Sequence, residues 1–204
     1  LTLQLFHYLF FMLHPKLIDP KSIVVIGGSD NIHSPGGRVL KNLIDHNFRG
    51  ELLVVNPKQK MVQGIQSYNN VNEIPKVDVA IVAIAAKYVK ESIRILTQQK
   101  ETKGFIIFSA GFSEKDDAGA KLEHEIVELI NGVGGSLLGP NNIGLINKNY
   151  AGVFTTPIPK LDTSGVDFIS GSGATAVFII EAAKSMGLTF SSVYMVGNSA
   201  QIGV

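Results

Sequence analysis

The 204-residue chain has no cysteine. That removes disulfides, thiolate metal ligands and a cysteine nucleophile, and it suits a reducing cytoplasm. Charge of one sign is also missing: 18 Lys and Arg face 17 Asp and Glu, a formal balance of +1. Such a balance gives no bulk attraction to nucleic acid or to an anionic membrane surface. No uncharged apolar run reaches the ~17 residues that a membrane span needs. The nearest approach, residues 1–13, carries Leu5, Phe6, Tyr8, Leu9, Phe10 and Phe11. It lacks the basic start and small-residue cleavage site of a signal peptide. Residues 1–13 are therefore expected to be a non-native or disordered extension. No closely spaced set of His and carboxylates suggests a metal site, and no internal repeat is visible.

What the chain does have is alternation. Short apolar runs at Ser22–Ile26, Glu51–Val55, Val77–Ile84, Phe105–Phe108 and Ser136–Leu138 read as strands. Between them, Gly37–Asn47, Lys87–Lys100 and Asp116–Asn131 place apolar residues at helical spacing, among them Val39, Leu40, Leu43 and Ile44 in the first. Strands buried on both faces, each followed by a helix, imply an α/β protein with a Rossmann-like, doubly wound parallel sheet over residues 14–150. Residues 151–163, rich in Thr and Pro, read as a linker. Residues 164–204 then open a second α/β unit: strand Val166–Ile169, helix Ala174–Met186, strand Val193–Val196.

Ligands of doubly wound sheets bind at the carboxyl ends of the strands, so the turns there carry most weight. The first, Gly27-Gly28-Ser29 through Ser34-Pro35-Gly36-Gly37, has the glycines that let backbone approach a phosphate at a helix N-terminus. It is longer than the strict dinucleotide pattern, and the same residues also suit a tight turn with a helix cap. At the end of the second strand a nicotinamide site usually carries Asp or Glu for the ribose hydroxyl. Here stands Asn56-Pro57-Lys58, and the lysine suits a ligand with an extra ribose phosphate, such as coenzyme A or NADP. The fourth strand runs into Ser109-Ala110-Gly111-Phe112 and the fifth into Gly139-Pro140-Asn141-Asn142. Small residues there keep a crevice open, and the two asparagines offer amide donors and acceptors.

In order, Pro20–Ser29, Asn56-Pro57-Lys58, Ser109–Phe112 and Gly139-Pro140-Asn141 resemble the signatures of the CoA-binding domain of ADP-forming acetyl-CoA synthetases. The alpha subunit of succinyl-CoA synthetase is a more distant relative. Ile169–Ala174 and Val196–Ala200 resemble the start of the flavodoxin-like domain that follows in that family, truncated here. The resemblance implies ligation of a small carboxylic acid to coenzyme A at the expense of ATP, through an acyl phosphate and a phosphohistidine. That histidine would lie beyond these residues, as would the ATP-grasp domain or subunit that handles ATP, ADP and Mg2+. It further implies that Gly27, Gly28, Ser29, Ser34, Pro35, Gly36 and Gly37 line the CoA phosphates. Lys58 would hold the charged adenosine end, and Ser109, Ala110, Gly111 and Asn141 would border the pantetheine path. Ser170, Ser172 and Gly173 would lie near the thioester. Departures from the family pattern are Gly171 between two serines, Asn142 in place of a frequent cysteine, and no proline in Ala83–Ala86.

No catalytic residue is expected within these positions. His46 and His124 read as surface histidines, and Ser170–Gly173 is not a nucleophile elbow. Rival readings are a CoA sensor, the regulatory region of a protein acetyltransferase, and an NADP-dependent oxidoreductase. A homo-oligomer is compatible with all of them; the acyl group and the choice of ADP or GDP stay open.

Overall fold

The structure is a computed structural model that describes residues 13–203. Residues 1–12, most of the expected extension, lie outside the described residues. Leu13 packs half-buried against the core, and His14 caps helix α1 (Pro15–Ile18), its Nδ1 accepting from Lys16 N at 3.1 Å.

The first sheet contains β1 (Ser22–Ile26), β2 (Glu51–Val55), β3 (Met61–Val62), β4 (Ile65–Tyr68), β5 (Val79–Val82), β6 (Gly104–Ile107) and β7 (Ser136–Leu138). Their spatial order is β3-β4-β2-β1-β5-β6-β7, all parallel apart from the β3–β4 hairpin. Side chains of a strand alternate between its faces, and β1 separates accordingly. Val24 and Ile26 join a core with Val89, Ile93 and Leu96 of α3 (Ala86–Gln99) and Ile126 and Ile130 of α4 (Asp117–Asn131). Ile23 and Val25 join another with Val39, Leu40 and Leu43 of α2 (Pro35–Asp45). The apolar runs thus mark strands covered on both sides.

The β3–β4 hairpin was not foreseen. Its two-residue turn puts Gln63 at φ 48° and Gly64 at φ 83°, the twist that matches a tight hairpin. The Gln-Gly pair was the available signal, masked by a first strand only two residues long.

Residues 151–163 do not form the expected linker. β9 (Ala151–Val153) pairs antiparallel with β8 (Gly144–Ile146), and β10 (Leu161–Ser170) begins inside the same stretch. Pro157 and Pro159 deny a ladder only at their own positions, between the two strands. The second sheet runs β10-β11-β8-β9, with β11 (Phe190–Met195) parallel to β10 and antiparallel to β8. Helix α5 (Gly173–Ser185) sets Ala176, Ile180 and Ala183 against it. The β8–β9 hairpin therefore completes the second sheet and spans the expected boundary at position 150.

That hairpin also joins the two layers. Leu145 and Tyr150 enter the core of the first sheet, and Tyr150 donates from its hydroxyl to Leu17 O at 2.7 Å. Helix α2 turns Asn42 inward and leaves Ile44 exposed, against the expected pattern. The neighbour explains it: Asn42 Nδ2 donates to Val153 O at 2.7 Å and Thr155 O at 3.0 Å, closing the open edge of β9. Among the described residues no helix is long and apolar enough to cross a membrane.

Asn42→Ala would leave those carbonyls without their donor beside a cavity. It should lower the unfolding free energy by about 2 kcal/mol in urea titration, and a loss under ~0.5 kcal/mol would mean that solvent replaces the clamp.

Candidate functional site

The strand order reverses at β1, which has β2 on one side and β5 on the other. Sheets of this kind seat their ligands at such a reversal. Two close approaches occur there. A Cβ on Gly27, at φ 87°, would lie 2.5 Å from Ala83 O, so the turns after β1 and β5 are in backbone contact. A Cβ on Gly36 would lie 2.0 Å from Gly27 O, because the start of α2 folds back over its own approach. Side chains at either position would push these segments apart.

The hydroxyls of the first turn serve the turn itself. Ser29 Oγ accepts from Asn31 N at 3.0 Å. Ser34 is the N-cap of α2, accepting from Gly37 N at 3.2 Å and donating to Asn31 O at 2.7 Å, with Pro35 in the first helical turn. Asn56 Nδ2 donates to Gly28 O at 2.8 Å, and its Oδ1 accepts from Lys58 N at 2.8 Å. Lys58 is exposed beside this junction, and among the described residues its ammonium has no ion-pair or hydrogen-bond partner. Two residues missed in the sequence brace the same turn. Gln63 Nε2 donates to Ser29 O at 2.7 Å and Gly37 O at 2.8 Å, while Asp30 accepts from Gln59 Nε2 and Gln63 N at 2.6 and 2.7 Å.

Further along, Ser109 Oγ donates to Ile84 O, and Ser109 O accepts from Asn141 N at 2.9 Å. Ala110 is exposed and Gly111 sits at φ 107°. Asn141 Nδ2 reaches Asn198 Oδ1 at 3.3 Å, just past β11. Asn198 Nδ2 in turn contacts Glu114 Oε2 at 2.5 Å, Glu123 Oε2 at 2.9 Å and Ser113 Oγ at 3.2 Å. A Cβ on Gly173 would lie 2.2 Å from Ile143 Cδ1, so α5 begins against the loop after β7. Ser172 caps α5, accepting from Thr175 N at 3.3 Å, and Ser170 Oγ donates to Ser172 O at 2.9 Å. All the singled-out residues from Gly27 to Gly173 thus belong to one rim of touching loops, with Lys58 towards one end and α5 at the other.

Among the described residues, no group of His, Asp and Glu could hold a metal ion. His124 pairs with Glu128 at 3.3 Å on the exposed side of α4, and His46 caps α2. A cleft of about 790 Å³ lies elsewhere, at the amino ends of the strands, lined by His46, Asn147, Tyr150, Lys160 and Leu161 among others. None of its lining residues carries a buried polar atom without a partner.

Residues 21–147 match the family model described as CoA binding domain. The chain is 37% identical over 188 residues to acetate–CoA ligase [ADP-forming] I of Archaeoglobus fulgidus, which covers 92% of this chain and 27% of that protein. It is 36% identical over 185 residues to the alpha subunit of acetate–CoA ligase [ADP-forming] II of Pyrococcus furiosus, covering 90% of this chain and 40% of the subunit. The apo dinucleotide forming acetyl-coenzyme A synthetase 1 of Ca. Korarchaeum cryptofilum superposes with a TM-score of 0.82 at 28% identity, over 93% of this chain and 41% of that one. The chain therefore spans between 27% and 40% of the length of these two curated relatives.

Glu114 gives the rim a pH signature. Burial pushes its carboxyl up, but hydrogen bonds from Asn198 and from the backbone N–H groups of Gly111 and Phe112 outweigh that and hold it below the ordinary carboxylate range. A carboxyl depressed on folding stabilises the fold above its unfolded pKa of ~4.3 and loses that contribution as pH falls through the folded value. Wild type should therefore exceed Glu114→Gln in unfolding free energy at neutral pH, and the two should converge in acid below the ordinary range. A gap independent of pH would assign the effect to shape, not charge.

Proposed function

The chain belongs to the CoA binding domain family, and from that premise we propose that its crevice seats coenzyme A within an acyl-CoA synthetase that forms ADP. The overall reaction joins a small carboxylic acid to CoA with cleavage of ATP to ADP and phosphate. The acetate–CoA ligase activity of both relatives supports this reading. Phosphoryl chemistry is assigned to an ATP-grasp part, fused or separate, in keeping with the small share of those relatives that this chain spans. Residues 14–150 would be the CoA-binding domain and the 164–204 stretch the start of a second unit, with the β8–β9 hairpin serving both.

The observation that carries the proposal is the unpartnered, exposed ammonium of Lys58 at the end of β2, where a nicotinamide site would need an acid. The nearby polar groups do not compete for it, since Asn56 is bonded to Gly28 and Asp30 to Gln59 and Gln63. A ribose phosphate fits such a lysine. The turn at the start of α2 can take a pyrophosphate at the helix N-terminus, and its glycines are what let the backbone fold this closely around that end. When bound, CoA supplies the thiol that becomes the thioester. The residues of this chain bind and orient that arm along the loops after β6 and β7, towards Ser170, Ser172 and Gly173.

Calorimetry with CoA, dephospho-CoA and NADP tests the assignment. Lys58→Ala should weaken CoA by on the order of tenfold, the worth of one charge-assisted hydrogen bond, and leave dephospho-CoA unchanged. Equal losses for both would remove Lys58 from the ribose phosphate, and binding of NADP with no binding of CoA would overturn the function.

A further inference from the structure

Asn142, in the loop after β7, is 3% exposed, and neither its Nδ2 nor its Oδ1 has a hydrogen-bond partner. Among the described residues it is the one side chain orphaned at both ends of its polar group; the other buried orphans are single atoms of Gln63 and Thr102. Native proteins pair nearly all buried polar atoms, and each exception costs about 1–3 kcal/mol.

The loop gives Asn142 no freedom to repair this by shifting its backbone. Asn141 N donates to Ser109 O at 2.9 Å, Asn198 N to Pro140 O at 3.0 Å and Phe154 N to Ile143 O at 3.3 Å. Asn142 Nδ2 lies 2.8 Å from where a Cβ of Gly139 would stand, so the bare Gly139 is what makes room for it. The backbone is pinned on three sides around a carboxamide whose donor and acceptor are unused.

We propose that Asn142 is a binding residue for the two amides of the pantetheine arm of CoA in this crevice, accepting from the N–H of one and donating to the C=O of the other; the inference rests on the function proposed above. A phosphate or carboxylate offers acceptors only and would leave Oδ1 orphaned, whereas the two amides of the arm can answer both ends, the N–H of one and the C=O of the other. The adenine edge has the same pairing chemistry but belongs at the other end of the rim. From β2 to β7 the strand order takes four steps, or roughly 19 Å at ~4.8 Å per step, so a base held beside Lys58 does not reach the loop after β7. The arm does. Because the buried position offers the carboxamide no partner, turning about its own side-chain bonds towards the arm forfeits no hydrogen bond.

The test combines stability with affinity for two probes, CoA and adenosine 3′,5′-bisphosphate, which keeps the nucleotide end and lacks the arm. Asn142→Leu keeps the volume and removes the orphaned atoms. It should leave the melting temperature equal or higher, weaken CoA by on the order of tenfold, and leave the bisphosphate unchanged. Asn142→Ala serves as the second variant, with the same split between probes. Unchanged CoA affinity in both variants overturns the inference, as does a lowered melting temperature with equal loss for both probes, which marks a structural role completed by buried water. Wild-type chain that binds neither probe refutes the reading of the crevice itself. Wild type that binds the bisphosphate as tightly as CoA refutes only the hold on the arm.

Discussion

A parallel sheet buried on both faces can present polar groups only at its strand ends, and this constraint governs the molecule. Ile23 to Ile26 are between 0% and 2% exposed, so β1 has no surface of its own for chemistry. At its carboxyl end the chain continues to β2 on one side and β5 on the other, and the loops after all three strands meet there. Every residue that reaches the crevice hangs from such an end. The polar work of holding these loops together is done locally, by Ser29, Ser34, Asn56 and Gln63.

The two sheets are coupled through carboxamides at their edges. Asn42 closes the outer edge of β9, and Gln201 Oε1 accepts from Leu137 N at 2.6 Å on the outer edge of β7. A side-chain amide can satisfy an edge strand without prolonging the sheet, which limits pairing with foreign strands. Asn198 adds a third link, at the crevice, where it gathers the loops after β6 and β7. These links make the placement of the second sheet against the first a property of specific side chains.

The sequence was legible where periodicity carried the signal. The five long-range parallel strands and three large helices of the first sheet follow from period-2 and period-3.6 apolar runs, because burial on both sides leaves little choice of residue. The turns at the strand ends were legible too, since Gly27, Gly36 and Gly139 occupy positions that tolerate no Cβ. Short strands were not. Met61–Val62, Gly144–Ile146 and Ala151–Val153 are two or three residues long, too brief to show a period, and their pairing is decided by partners elsewhere in the chain. Hydroxyl roles were equally hidden: the identities of Ser29 and Ser34 suit either a ligand contact or a turn, and only the structure shows the bonds that they make within the turn. Asn142 was visible only as one amide of a pair, and nothing in its neighbours' identities marks it as orphaned.

The clamp at Asn42 has a bearing on the order in which the molecule assembles. Its acceptors lie 111 and 113 residues further along the chain, whereas β1, β2 and β5 to β7 are complete by Leu138. A polypeptide emerging from the ribosome can therefore close its first sheet while Asn42 still faces water, and the hairpin that follows docks onto a surface already formed. Long-range closures of this kind carry a loop-entropy cost and come late.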